Sequence, residues 1–299
     1  MAVTGRPVSL DGVGPSCVAL PPGPWATVLD FLVQRFGAVP RAEWCARLSG
    51  GRVIDAGGTP LPLDAPYRPH AKLYYYRSVA DEATLPFQEE VLYQDEHLVV
   101  ADKPHFLPVT PGGRHVRETL LGRLKRRLGI DTLSPIHRID RETAGLVAFS
   151  VQAGDRGRYH ALFRERAVDK RYEAIAPWRP GLAFPLHIHS RLVDSPTAFM
   201  QVGVAEGEPN AETHVDLLEV EGGLGRYALR PVTGRRHQLR VHMASLGCPI
   251  VGDRIYPTLR PDAPHDLAHP LRLLARHLAF TCPVTGRVHA FESRRTLAF

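Results

Sequence analysis

The apolar positions change period several times along the chain, and each change marks an element. In VLDFLVQRFG, Phe31, Leu32 and Phe36 recur at helical spacing, and Gly37 follows as a stop. AEWCARLSGG reads as a second short helix closed by Gly50 and Gly51. GRVIDAGGTPL predicts a strand, a turn at Gly57 and Gly58, and another strand; LYYYR, Leu73 to Arg77, is aromatic and β-prone. Residues 25–77 are therefore expected to form a small α+β unit. Ahead of it, residues 1–24 are rich in Gly and Pro and predict an irregular lead-in. Behind it, residues 78–90 are polar and read as a linker.

From Val91 onward the alternation quickens. HLVVADKP predicts a strand ending at Lys103 and Pro104. RETLLGRLKRRLG predicts a helix with an apolar stripe of Leu120, Leu121, Leu124 and Leu128, closed by Gly129. Arg123, Arg126 and Arg127 fall on another face, which reads as a solvated flank, or as a phosphate-contacting one if the nearby site binds RNA. GLVAFS and KRYEAIAP predict strands on either side of a helix in DRGRYHALFRERAV. Further strands are expected in AFMQVGV, ETHVDLLEV and GRYALRPV, then a helix in HQLRVHMASLG ended by Gly247. Short strands with close turns such as EGGLG predict an α+β domain over residues 91–299, built on a mixed, largely antiparallel sheet with flanking helices.

Composition narrows the function classes only a little. With 44% hydrophobic and 23% charged residues in 299, the chain is an ordinary globular one. A net charge of +6 favours a polyanionic partner without proving one. The four cysteines, Cys17, Cys45, Cys248 and Cys282, have no CxxC pairing and read as free thiols in a reducing compartment. His187 and His189 in HIHS share a strand face, but no third ligand stands at a metal-site spacing, so no metal is expected. The absence of GxGxxG and P-loop patterns argues against a nucleotide cofactor. No basic-then-apolar leader and no long apolar run occur, so a cytoplasmic protein without a membrane segment is expected, with a monomer as the default.

The segment SPIHRIDRETAGLVAFS concentrates the candidate chemistry. His137, Arg138, Asp140 and Arg141 set one acid among cations just before an apolar strand. Neighbouring positive charge favours the carboxylate form, ready to act as nucleophile or base. Taken alone, four such residues fit a salt-bridged loop better than an active site.

The longer pattern changes that balance. HRIDRETAGLVAFS resembles the HRLDRxTSGLLL signature of RluA-like pseudouridine synthases, with Ile139 and Ala144 as mild departures. KRYEAI resembles the second motif of the family. LRPVTGRRHQLRVHMASLGCPIVGDRIY resembles its third, TGRxHQIRVHLAxLGxPIxGDxxY, almost throughout, and LARHLAFTCPVTGRVHAF resembles its closing strands. The likeness covers about residues 91–299. The helix, helix, strand order of residues 25–77 loosely resembles an S4-like RNA-binding module and equally fits a structural cap. The resemblance implies the pseudouridine synthase fold, an RNA substrate of ribosomal or transfer type, and chemistry without a cofactor. By the same resemblance Asp140 is the catalytic acid, Arg240 its basic partner, and Tyr172 the aromatic beside the base. Arg138 fills the gap left by a flipped nucleotide, with His137, Arg141, Arg236, His237 and Gln238 as further substrate-binding positions. KPHFLPVTPGG departs from the family's KPxGxxVHPG-like segment in lacking its early Gly, which bears on RNA preference rather than chemistry. Two other classes remain open at this point. One is a catalytically silent RNA-binding or ribosome-assembly protein on the same fold. The other is a sugar-cleaving enzyme, which needs two flanking carboxylates; Glu142 carries no signature of a second one.

Overall fold

The computed structural model describes residues 9–77, 82–113, 115–195, 198–260 and 266–299. The expected lead-in and linker lie outside the described residues at positions 1–8 and 78–81. The chain forms two compact units, Met1–Ala83 with Pro111–Asp131, and Thr84–Thr110 with Thr132–Phe299. The domain expected over 91–299 is thus interrupted by residues 111–131, which group with the N-terminal unit.

In the first unit, strand β1 (Ser16–Ala19), helices α1 (Val28–Arg35) and α2 (Arg41–Ser49), and strands β2 (Val53–Ile54) and β3 (Lys72–Tyr75) make a three-stranded sheet in the order β1-β3-β2. The lead-in is therefore not wholly irregular: SCVA, between two Gly/Pro-rich runs, pairs antiparallel with β3. Thr27 caps α1 by accepting from the Asp30 N–H at 3.2 Å, and Phe31 and Leu32 turn inward onto Trp44, Leu48 and Val53. Helix α3 (Leu120–Leu128) has the expected Gly129 stop and begins three residues into the predicted segment, after Thr119. Thr119 accepts from the Gly122 N–H at 3.0 Å, and Gly129 takes φ 68° as the left-handed stop. One expectation fails there. Arg126 and Arg127 are exposed, but Arg123 is buried and bonded to Glu118 at 2.5 Å.

The second unit is one 11-stranded sheet with two helices. Its strands are β4 (Glu90–Gln94), β5 (Leu98–Lys103), β6 (Ser134–Pro135), β7 (Ala144–Ser150), β8 (Asp169–Pro177), β9 (Leu186–Asp194), β10 (Val202–Ala205), β11 (Ala211–Glu221), β12 (Leu224–Pro231), β13 (Leu273–Thr281) and β14 (Val288–Glu292). The helices are α4 (Arg156–Arg164) and α5 (Gln238–Ser245). The path runs β10-β9-β11-β12-β8-β13-β7-β5-β4, with β14 on β13 and β6 on β7. The β13–β7 pair is parallel and the other pairings are antiparallel, so the mixed, largely antiparallel sheet is as expected.

Strand β7 is buried at all seven positions, which suits the unbroken apolar run of AGLVAFS. Gly145 is required at its start. Its φ is 107°, and a Cβ there would stand 2.3 Å from the Ala275 carbonyl oxygen on β13. The sheet carries α5 over Ala174, Val215, Tyr227 and Leu229, against which Leu239 and Met243 pack. Tyr159 of α4 packs into a second apolar cluster with Leu146, Ala148, Leu278 and Phe280. Among the described residues no helix is long and apolar enough to cross a membrane.

Candidate active site

Asp140 stands on the loop between β6 and β7, and that loop is held from below. The fully buried ammonium of Lys103, at the end of β5, donates to the carbonyls of Pro104 and Arg141, each at 3.0 Å. Burial pushes its pKa down to about 7. His105 donates through Nδ1 to the Glu142 carbonyl at 2.6 Å, and burial lowers its pKa to about 4, so it does so as a neutral ring. The Thr143 N–H closes the turn onto the Asp140 carbonyl at 3.2 Å.

The Asp140 carboxylate accepts from Arg240 Nη1 at 3.2 Å through Oδ2. Arg240 is 2% exposed, so it is not the exposed helical charge that the apolar positions of α5 alone would allow. Its other side is clamped by Asp253, with Nε donating at 2.8 Å and Nη2 at 2.7 Å, one to each carboxylate oxygen. Burial disfavours the guanidinium charge, but Asp253, Asp140 and Glu142 more than offset it and hold the pKa above the usual range. Asp253 also accepts the N–H groups of Ile255 and Tyr256 at 2.8 and 3.0 Å. Gly252 makes that turn possible: at φ 79°, a Cβ would stand 2.2 Å from the Pro270 carbonyl oxygen.

His237 precedes α5 in a left-handed conformation, φ 55°, which brings its Nε2 to 3.9 Å from Asp140 Oδ2. Its Nδ1 meets the Tyr256 hydroxyl at 3.0 Å, and Tyr256 accepts the Val202 N–H at 2.7 Å. Burial lowers the His237 pKa against the pull of Asp140. Tyr172, on β8, lines the same recess. Burial first, and the Asp140 charge second, raise its pKa above the ordinary phenol range, so it stays protonated.

These groups open onto a cleft of about 900 Å³. Among the described residues, seven cationic side chains line it (Arg138, Arg141, Arg164, Arg166, Lys170, Arg235 and Arg236) beside one carboxylate, that of Asp140. A recess of about 100 Å³ beneath it reaches Arg240, Leu239 and Leu273. The arrangement offers a fixed anion at the floor of a cationic trough, next to an aromatic ring.

The predicted site residues do not all play the same part. Asp140, Tyr172, Arg240, Arg138 and His237 converge, and Arg236 and Arg141 line the outer cleft. Arg141 is also paired with Glu142 at 2.8 Å. The Glu142 pKa is lowered: burial would raise it, but Arg141 and Arg240 prevail. His137 lines the cleft wall but is engaged inward. Its Nε2 accepts the Ala148 N–H at 3.1 Å, its ring stacks on Phe163, and burial pushes its pKa down to about 3. Gln238 is 3% exposed, and its amide is spent on Thr233, the Arg235 N–H, the Glu212 carbonyl and Thr213. It lines the recess while bracing the cleft wall through these bonds.

Sequence reasoning passed over Asp253, Lys103 and Lys170. The first sits in the GD of PIVGDRIY and the second in DKP, so both lay within quoted segments. Their pairing with Arg240 and with the Arg141 carbonyl is a tertiary fact. Lys170 donates to the Thr233 carbonyl at 3.3 Å from the cleft edge.

With this geometry in place, the likeness to known proteins is informative. The family model for RNA pseudouridylate synthase matches residues 97–245. An uncharacterized RNA pseudouridine synthase of Synechocystis sp. is 33% identical over 231 residues, covering 77% of this chain and 79% of that protein. The dual-specificity RNA pseudouridine synthase RluA of Salmonella typhimurium is 34% identical over 204 residues, covering 68% of this chain and 91% of that protein. The structure of human RNA pseudouridylate synthase domain containing 4 aligns with a TM-score of 0.55 at 26% identity, covering 70% of this chain and 88% of that one. Fold and site together define an RNA-modifying isomerase. The chain belongs to the RluA-like family of RNA pseudouridine synthases.

Proposed function

We propose that this enzyme isomerises specific uridines in structured ribosomal or transfer RNA, with Asp140 as its catalytic carboxylate. Pseudouridine formation breaks the C1′–N1 bond, turns the uracil, joins C5 to C1′, and takes a proton from C5 while N1 gains one. Oxidation state does not change. An anion is needed at the sugar, either to attack C1′ or to remove the C2′ proton. Among the described residues Asp140 is the one carboxylate lining the cleft, aimed by a guanidinium that is itself clamped by Asp253. That single, fixed acid among seven cations is the observation that carries the reading, and it speaks against a hydrolase built on two facing carboxylates.

The remaining roles follow from position. The uridine must leave its stack to reach the floor, at a cost of a few kcal/mol, and exposed Arg138 at the rim is placed to occupy the gap. Tyr172 offers its ring to the uracil, and its protonated hydroxyl stays available near C5. Arg141, Arg164, Arg166, Lys170, Arg235 and Arg236 take the phosphates on either side.

Tritium release from RNA labelled at uridine C5 tests the proposal. The wild-type protein releases label as C5 gives up its proton. Asp140→Asn keeps RNA binding and releases none. Label release by Asp140→Asn at the wild-type rate would remove Asp140 from the chemistry. A wild-type protein that binds RNA but releases nothing would instead be a silent binder.

A further inference from the structure

Away from the cleft, antiparallel pairing of β9 and β11 assembles a group that neither strand contains alone. His187 and His189 project from one face of β9. His214 lies directly opposite His187, and Glu212 directly opposite His189. The result is a two-by-two grid of three imidazoles and one carboxylate on a single sheet face. His187 Nε2 lies 2.8 Å from Glu212 Oε1, and His214 Nε2 lies 3.9 Å from the same oxygen. His189 Nε2 lies 3.3 Å from His187 Nδ1. The rings of His187 and His214 stack at 3.9 Å with only 14° between their planes. Ligand atoms of His187, Glu212 and His214 all fall within 4.8 Å of one another. The mechanism above uses none of these residues.

We propose that His187, Glu212 and His214, with His189 alongside, form a binding site for a borderline divalent transition metal such as Zn²⁺, clipping β9 to β11. The donor set is two imidazole nitrogens and a carboxylate oxygen, with the rest of the coordination open to water. That set suits Zn²⁺, Co²⁺, Ni²⁺ or Cu²⁺ and not Mg²⁺, which prefers oxygen alone. A tetrahedral ion with ligands at about 2.0–2.2 Å needs them roughly 3.3–3.5 Å apart. The separations of His187 and His214 from Glu212, 2.8 and 3.9 Å, bracket that span, and the third pair lies within 4.8 Å, so the ligand atoms stand within reach of one ion.

The frame is stiff where it needs to be. The Glu212 N–H donates to Thr233 at 2.9 Å, and the Glu212 carbonyl accepts from Gln238 at 2.9 Å, pinning its backbone from both sides. His187 contributes Nε2, where the metal takes the place of the proton now shared with Glu212. Its ring stays neutral by carrying its proton on Nδ1, which then donates to His189. Glu212 is already biased to the carboxylate by its bond to His187 and the nearby imidazoles. Neutral rings therefore bind the cation without any co-reactant.

The test is calorimetric titration of the tag-free, chelator-treated full chain with ZnCl₂, then MgCl₂, at pH 7.5. The expected result is one Zn²⁺ site absent from His187→Ala and His214→Ala, weakened by roughly 10- to 100-fold in Glu212→Gln, and unfilled by Mg²⁺. Zn²⁺ should raise the melting temperature of the wild type and not that of the two alanine variants. Two outcomes overturn the proposal: no Zn²⁺ binding by the wild type, or equal stoichiometry and affinity in the His214→Ala protein. All four side chains are partly exposed on strands, so the variants should fold, and circular dichroism checks that they do.

Discussion

Taking a guanidinium out of water costs several kcal/mol, and Arg240 at 2% exposure has lost nearly all its hydration. Of the three carboxylates that offset that cost, the two that bond Arg240 directly do so unequally. Asp253 bonds it twice, and Asp140 only once through Nη1. The stronger grip belongs to Asp253, and Asp140, the proposed catalytic acid, is held by the remaining Nη1. Asp253→Asn should therefore strike the enzyme in two ways. Stability should fall by roughly 3 kcal/mol, because a buried cation loses its charged partner. The kcat should drop while KM for RNA holds nearly constant, since the cleft cations that meet phosphate are untouched. Denaturant melts and a kinetic titration check both. A variant with wild-type kcat would show that Arg240 needs no brace. Sequence alone marks Asp140, Tyr172 and Arg240 as candidates, because they lie in long motifs. It could not show that Gln238 and His137, inside those same motifs, spend their polar atoms on the protein's own backbone and side chains.

Helix α5 illustrates how far pattern reading goes at the level of an element. Leu239 and Met243 were legible as its apolar side, and Arg240 alone would pass for a solvated charge. In the fold, Gln238 through Met243 are all buried, because each polar member has a partner. His242, for instance, lies 2.8 Å from Ser190 Oγ and 3.0 Å from Thr213 Oγ1. Strand β7 was easier, since an apolar run with a leading Gly leaves few options. The departure at Ala144 also finds its reason there: its neighbours are Ile175, Leu274 and Leu297, which suit a methyl group better than a hydroxyl. Gly145 is the weak point of that strand. Gly145→Ala should destabilise by roughly 3 kcal/mol or more, from a Cβ driven into Ala275 and a strained φ. A urea midpoint unchanged from wild type would mean that β13 can move away at little cost.

Over the whole molecule, buried imidazoles set how stability depends on pH. Burial pushes His137 down to about 3, and His105 and His242 to about 4. Unfolded histidine titrates near 6.5 (roughly). Below that value the unfolded chain takes up protons that the folded one refuses. The contribution of these imidazoles to stability is therefore complete above about pH 6.5 and lost as pH falls toward 4, by up to about 1.4 kcal/mol per pH unit for each such group. The urea midpoint should be lower at pH 5 than at pH 7. His242→Gln, which keeps hydrogen-bonding capacity without titrating, should flatten the slope. A midpoint that rose on acidification would contradict the assignment.

The order of elements, the apolar stripes and the motif acids were all written locally, in periods of a few residues and runs of quoted sequence. They determined the α+β class, the family and the catalytic candidates, because such features depend only on near neighbours along the chain. What only the tertiary structure decided depends on pairing between distant segments. Asp253 clamps Arg240 because a glycine turn returns it to α5. Residues 111–131 join the N-terminal unit. His214 and Glu212 meet His187 and His189 because strand register, which sequence spacing does not encode, sets them face to face.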